Sequence, residues 1–288
     1  MAYETEYANI VKPTDALSDI TGAALVQKAV LPALVYSEDV PVGTMIKKFV
    51  KDGYLTADVL AESTAVSFGA GNELTQSSVS ATVTKYVGAA KLTAEAERFT
   101  RMTSAEMAGK VGEAIARDID GDIKALASSF SNTVTATDVL TLDDIMLGDL
   151  SIRENTLNVS EGSLVFIGNN QGIYDLKKDI VQSAAAVFTQ EKKTSLLDGV
   201  STPAGYVGSA LGTYDFYVTS GMPTSSSDDV NLLFDPRMAF AGVIDPTVNM
   251  DVQFMGASSG LYNEITGWVW ANFVEWYDEA GCGILSDT

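Results

Sequence analysis

Two spacings of side chains run back to back between residues 82 and 130. Val83, Lys85, Val87 and the pair Lys91 and Leu92 keep a strand's period of two, loosened by Gly88. From Thr103 the period lengthens. Met107, Val111, Ile115, Ile119, Ile123, Leu126 and Phe130 recur every three or four residues, as one face of an α-helix does. Thr103 and Glu106 stand at capping-box spacing, which places the start of this helix and predicts it over 103–129. A ribbon feeding straight into a long helix, with no chemistry beside it, reads as a building element.

The same reading extends to both sides. Residues 1–24 are polar, with Pro13, Thr14 and Asp15 marking a turn and no sustained period, so they read as an arm. Residues 23–34 predict a short helix ended by Pro32 or the turn after it. A strand over 40–50 is entered through Pro41 and Gly43, and another runs over 80–87. Between them lie Gly53, Gly69, Gly71 and short apolar pieces such as Val66 and Phe68, so 43–88 reads as a long two-stranded excursion. Such a ribbon is marginal alone in water, which favours a partner subunit beneath it.

Past the long helix, 134–139 is Thr-rich. Thr141 and Asp144 then N-cap a helix through Ile145, Leu147, Leu150 and Ile152 to about Asn155. A buried strand over 163–167 is closed by Gly168, Asn169 and Asn170. A helix over 171–182 follows, with Ile173, Leu176, Ile180 and Val181 inward and Lys177 and Lys178 on the wet side. Residues 194–212 are loop-rich. Strands are predicted over 214–219, 230–234, 239–244 (continuing the same sheet after Asp235 and Pro236), 248–254, 265–277 and 283–285. Met222, Pro223 and residues 225–229 form a solvated turn. The class is α+β, without internal repeat or clean linker.

Composition narrows the function. The chain has 288 residues, 46% of them hydrophobic, so it can bury a real core. Its net charge of −20 repels nucleic-acid phosphates and acidic membranes, which argues against sequence-reading of DNA. Residues 1–9 are polar and acidic with no apolar signal region, and no run of 18 or more apolar residues occurs, so cytoplasmic synthesis is expected. There is no histidine, which removes Ser-His-Asp and Cys-His nucleophiles and every histidine metal site. The single cysteine, Cys282, sits between Gly281 and Gly283 and reads as a packing residue. Catalytic, cofactor-binding and metal-binding residues are all expected to be absent, and the protein is expected not to be an enzyme.

Several features imitate sites. Asp118, Asp120 and Asp122 surround Gly121, but an EF-hand loop needs Gly sixth and Glu twelfth; here Gly121 is fourth and Ser129 twelfth. A solvated helix face, with Arg117 and Lys124 nearby, is the preferred reading over an opportunistic cation site. Gly69 to Glu73 begins like a phosphate loop, yet lacks a third glycine, a Lys-Ser/Thr pair and a following helix. Trp268, Trp270, Phe273, Trp276 and Tyr277 suggest a stacking platform, but partial spacing by two favours buried strand faces or an interface. Glu95 and Glu97 with Arg98 read as ion pairs rather than an acid/base pair.

In this order the pieces resemble the major capsid proteins of tailed bacteriophages, the Hong Kong 97-type fold. Two stretches carry most of the resemblance. One is 212–219 with Met222 and Pro223, then Leu232 to Asp235; the other is 268–285. The resemblance implies an N-terminal arm over 1–42, an extended β-hairpin loop over 43–88, and a peripheral domain over 89–140 and 245–275 that includes a spine helix at 103–129. An axial domain over 141–244 and 276–288 completes it.

It further implies self-assembly, as pentamers and hexamers, into an icosahedral shell enclosing double-stranded DNA without sequence-specific contacts, and residence in the virion after synthesis in the host cytoplasm. Expected partners are a portal, a separate scaffolding protein (no scaffolding segment precedes the arm) and decoration proteins. No membrane is expected. The ribbon is expected to rest mainly on an adjacent subunit, with further contacts from loops 194–205 and 225–229. Lys47, Lys48 and Lys51 lie near the base of the loop and its tip has no lysine, so covalent crosslinking is not expected. The acidity fits a container lining, an outward face or a saline setting equally. The rival readings are an encapsulin-like nanocompartment shell, a surface adhesin, and a carboxylate-only glycosidase.

Overall fold

The structure, a computed structural model, describes residues 13–40, 43–52, 76–93, 95, 103–136, 139–155, 164–182, 188–189, 205–210, 213–225, 228–245, 247–255 and 262–286. The first half of the chain gives α1 (Pro13–Lys28), β1 (Tyr36–Asp39), β2 (Ile46–Asp52), β3 (Gln76–Thr82), β4 (Thr84–Thr93) and α2 (Ser104–Ala125). Next come β5 (Thr133–Thr135), α3 (Leu142–Asn155), β6 (Leu164–Gly168), α4 (Asn170–Gln182), β7 (Phe188–Thr189), β8 (Tyr206–Ala210) and β9 (Tyr214–Val218). The chain closes with β10 (Thr224–Ser225), β11 (Asp228–Phe234), β12 (Phe240–Ile244), β13 (Asn249–Met255), β14 (Tyr262–Glu275) and β15 (Gly281–Ser286).

Helix α2 begins where its capping box predicts. The Glu106 N–H donates to Thr103 Oγ1 at 3.2 Å and the Thr103 N–H donates back to Glu106 Oε2 at 2.8 Å. Val111, Ile115, Ile119 and Ile123 are all buried, against Ile265, Val269, Ala271 and Phe273 of β14. The long helix therefore lies on its own sheet, as its period requires.

That sheet has five strands in the order β1-β12-β14-β13, with β4 also paired to β14. Gly88 and Gly267 are register partners in the β4–β14 pair, and an added Cβ at either would come within about 3.0 Å of Val111 Cγ1. The two glycines make a pit in the sheet that lets the helix approach. The side chains of β4 facing the core are Tyr86, Ala90 and Leu92, whereas Lys85 and Val87 point to the opposite face. The period of two read from Val83 and Val87 is thus that of the outer face. The core-facing positions escaped it because two of them, Gly88 and Ala90, are small.

A second sheet of eight strands runs β5-β15-β11-β6-β9-β8-β7, with β10 on β11. β6 is buried along its whole length, as its unbroken apolar run predicts. Helices α3 and α4 contribute Ile145, Ile152, Ile173 and Leu176 to a core with Phe166, Phe216 and Ile284. β12 was expected to continue this sheet but pairs instead with β14 of the five-stranded sheet. The chain changes sheet in the turn after Asp235, whose side chain accepts the Arg237 N–H at 2.9 Å. A boundary at 244/245 therefore cuts across strand pairing. The return crossing, 276–280, lies beside the first: Trp276 N–H donates to Ala239 O at 2.8 Å, and Asp235 N–H to Ala280 O at 3.0 Å.

Packing corrects two expectations and narrows a third. The arm is not featureless to residue 24, since α1 starts at Pro13 and crosses α2. Of the four apolar positions that trace α3, Leu147 and Leu150 are 53% and 51% exposed. The buried stripe of α3 is narrower: Ile145, Gly148 and Ile152, with a Cβ at Gly148 reaching to 3.2 Å from Leu233 Cδ2. Residues 206–210, read as loop, form β8, with Gly205 in the left-handed region at φ +75°.

Two glycines of α2 test the crossing with α1. At Gly109 an added Cβ meets nothing within 4 Å, whereas at Gly112 it would stand 2.5 Å from the Thr21 carbonyl oxygen. Gly109→Ala should therefore stabilise the subunit by about 0.5–1 kcal/mol. Gly112→Ala should destabilise it by about 1–3 kcal/mol. Urea unfolding of the two variants must show opposite signs; a gain at Gly112 would contradict the crossing.

Candidate assembly surfaces

The acidic triplet of α2 does not act as one group. Asp118 and Asp122 are exposed, and Asp122 Oδ2 accepts the Tyr86 hydroxyl at 2.5 Å. Asp120 is only 5% exposed, which corrects the expected solvated face. Its carboxylate accepts the backbone N–H of Val30 at 3.2 Å and of Leu31 at 3.1 Å, capping the chain where it leaves α1. Burial raises its pKa above the usual aspartate value, against the opposing pull of those two N–H groups. One turn on, Lys124 is also nearly buried and donates to the Ser220 carbonyl at 2.7 Å, so burial lowers its ammonium pKa. Lys28, Glu113, Arg117, Asp120 and Lys124 line a cavity of about 390 Å³ closed by 218–220. This junction ties α1, α2 and the end of β9 together by charge and backbone hydrogen bonds.

Sequence did hold a signal for it. Ala108, Gly112, Ala116 and Asp120 recur every four residues and all are buried, forming a second, small-residue stripe on which α1 lies.

The remaining chemical candidates fall apart in space. Cys282 is fully buried and its thiol is pushed up to about 11 by burial, so it packs rather than reacts. Asp229, read as part of a solvated turn, is buried on β11 and accepts from the Asn169 side-chain amide. Glu95 is exposed; Glu97, Arg98, residues 69–73 and residues 194–204 lie outside the described residues. Among the described residues no three His, Cys, Asp or Glu side chains are placed to hold a metal ion, and no helix is long and apolar enough to cross a membrane.

Aromatic side chains organise the outer face of the five-stranded sheet instead. Phe273 alone of the Trp268–Tyr277 group is in the main core; Trp268, Trp270 and Trp276 are half-buried on the opposite face. The β2–β3 hairpin lies over that face, with Phe49, Ala81 and Val83 covering Ala241 and Val243. Trp276 stacks on Tyr36 at 5.5 Å between ring centres and donates its Nε1–H to Val50 O at 3.1 Å. Lys51 pairs with Glu279 at 2.9 Å, and Lys47 with Glu38 at 2.5 Å. The described base of the ribbon thus rests on its own sheet, which its apolar face matches, while residues 53–75, the rest of the excursion, lie outside the described residues. Beyond the hairpin, Lys85 Nζ lies 4.3 Å from the Trp268 ring centre, and Val87, the cross-strand partner of Trp268, stays 47% exposed.

No protein-family model and no curated protein matches this chain. Solved structures do. The capsid protein of the cyanophage P-SCSP1u is similar at 12% identity and TM-score 0.61, over 91% of this chain and 90% of that one. The capsid of Ralstonia phage GP4 is similar at 10% identity and TM-score 0.68, over 88% and 87%. A virus-like particle from Pyrococcus furiosus is similar at 11% identity and TM-score 0.57, over 95% of this chain and all of that one. The chain therefore has the Hong Kong 97-type capsid fold, α+β, along nearly its whole length.

Asp120→Ala would strand the Val30 and Leu31 N–H groups and should lower unfolding free energy by about 1–3 kcal/mol. The pH dependence has a definite sign. Because burial raises the folded pKa of Asp120, its stabilising contribution is complete below the unfolded value and is lost as pH rises through the folded one. Asp120→Asn, which cannot ionise, should gain on the wild type across that rise in urea titrations at stepped pH. A difference that stays flat with pH would discard Asp120 as the source.

Proposed function

We propose that this chain is a major capsid protein of a tailed phage, self-assembling through pentamers and hexamers into an icosahedral shell around double-stranded DNA. The observation that carries this is the capsid fold over about nine-tenths of the chain, in proteins whose own lengths are matched almost completely. The protein is structural rather than enzymatic in this reading. The five-stranded sheet with α2 is the peripheral domain, and the eight-stranded sheet with α3 and α4 the axial domain. The two meet at the paired crossings 235–239 and 276–280, and β2 and β3 belong to the extended loop, expected over 43–88. Portal, scaffolding and decoration proteins are its partners, and the virion its location.

Shell contacts are individually small and gain strength from closure. The likeness to the Pyrococcus particle, which spans all of that chain, keeps an encapsulin-like nanocompartment as the second reading and makes cargo the deciding measurement.

Negative-stain microscopy of the purified protein should show closed shells of uniform size, and particles from the native source should contain nuclease-protected double-stranded DNA. A stable monomer with hydrolase activity would end the capsid reading. Protein cargo without nucleic acid would move it to the nanocompartment.

A further inference from the structure

Helix α3 leaves Met146, Leu147 and Leu150 exposed at 47%, 53% and 51%, on adjacent positions of one face. They border an open groove of about 560 Å³ with Asp149, Arg153 and Tyr214. The groove is braced before anything enters it. Asp149 is held from both sides, by Arg153 Nε at 2.5 Å and by the Tyr214 hydroxyl at 2.8 Å. A polar frame locked around three unpaired apolar side chains is how a preorganised docking surface looks, rather than a stray exposed leucine. Asp143 stands exposed at one end of the groove, and at the other the exposed Arg153 is paired with Asp149 and followed by the exposed Glu154, so three carboxylates on this helix face one arginine.

The chain itself carries a surface that fits. On α4, Tyr174 is 62% exposed, and Lys177 and Lys178 follow at three and four residues, so all three share one face. Neither lysine forms an ion pair among the described residues. Two adjacent exposed lysines beside an exposed tyrosine make a local cationic patch on a protein of net charge −20. An exposed aromatic flanked by cations complements an apolar groove flanked by carboxylates.

Resting on the capsid reading, we propose that the α3 groove of one subunit receives the Tyr174–Lys177–Lys178 face of α4 from the next subunit of the same chain. Groove and insert are different surfaces, so the contact is head to tail, and repetition about one axis closes it into a ring. Both helices pack on the same face of the eight-stranded sheet, so each subunit offers one of each from a single layer. Three apolar side chains and one tyrosine fall well short of the roughly 1,200 Å² that a stable pair of proteins buries. The contact is therefore weak between two free subunits and effective in a closed ring, where every copy is held twice.

Cysteine pairing tests the partner directly, since the one native cysteine is buried. Leu150→Cys with Tyr174→Cys, assembled and then oxidised, should give a ladder of covalent multimers on non-reducing gels, while each single variant stays monomeric there. A ladder from Leu150→Cys alone would mean groove against groove, and no ladder from the double variant would mean another occupant; either overturns the proposal. As a second measurement, Leu147→Asp with Leu150→Asp should keep the wild-type circular dichroism spectrum but lose at least tenfold in assembled shells, as should Lys177→Glu with Lys178→Glu. Assembly at wild-type yield by either pair also overturns it. If the wild type itself forms no shells, the capsid reading falls as well, so the two failures are told apart.

Discussion

One helix has to satisfy two packing partners, and most of the subunit follows from that. The isoleucine face of α2 covers the five-stranded sheet, and its small-residue face carries α1. Burying Val111, Ile115, Ile119 and Ile123 is worth about 1.5–3 kcal/mol each. The exposed pairs of Glu113 with Lys110 and Arg117 are minor beside that. The sheet meets the helix through the Gly88–Gly267 pit, and α1 meets it through Gly112. Close approach at both places depends on missing Cβ atoms, so the helix can neither slide nor roll without a clash. Its C-terminal end then delivers Asp120 and Lys124 to the junction that fastens the exit of α1 and the end of β9.

The second constraint is the pair of crossings between sheets. Segments 235–239 and 276–280 run side by side and exchange backbone hydrogen bonds, so the sheets are joined by a two-stranded connection rather than a single tether. Asp235 sits at its centre, 2% exposed, with Oδ1 accepting the Arg237 N–H and Oδ2 without a hydrogen-bond partner among the described residues. A carboxylate oxygen left bare in the interior is costly. The turn keeps it because the other oxygen organises the one place where the chain leaves the eight-stranded sheet.

Elements were legible wherever a period was carried by large side chains or a cap had two members. The α2 capping box, the Thr141–Asp144 cap and the unbroken run of β6 each located their element closely. What stayed hidden shares a physical cause: it was written in small or polar residues, whose role appears only with the partner in place. Helix α1 buries Thr21 and Leu25 against a glycine and alanines, so no apolar stripe announces it. Asp120 looked solvated because a lone aspartate on a helix does so until two N–H groups arrive from ninety residues away. β12 read as a continuation of β11 because sequence adjacency carries no information about which sheet a buried strand joins. The exposed face of α3 stayed hidden for the opposite reason, since Leu147 and Leu150 fit a helical period that the sheet beneath uses only in part.

These surfaces separate what the subunit keeps for itself from what it offers. The inner face of the β2–β3 hairpin is spent on its own sheet, through Phe49, Trp276 and the Lys51–Glu279 pair. The opposite face leaves Ile46 and Val50 bare at 52% and 48%, and Met45, just before β2, is 58% exposed. Among the described residues Val87, Val139, Tyr174 and the α3 groove are exposed as well, so the apolar exposure is spread over separate places rather than pooled in one. A single large patch would bind tightly and at once, giving a stable dimer or an aggregate. Several small, distinct patches on a strongly acidic body bind weakly one at a time against a mutual repulsion that grows with every added copy. On the capsid reading proposed above, an arrangement that engages many of them together overcomes it, and a closed shell does so while leaving none of its subunits at an open edge.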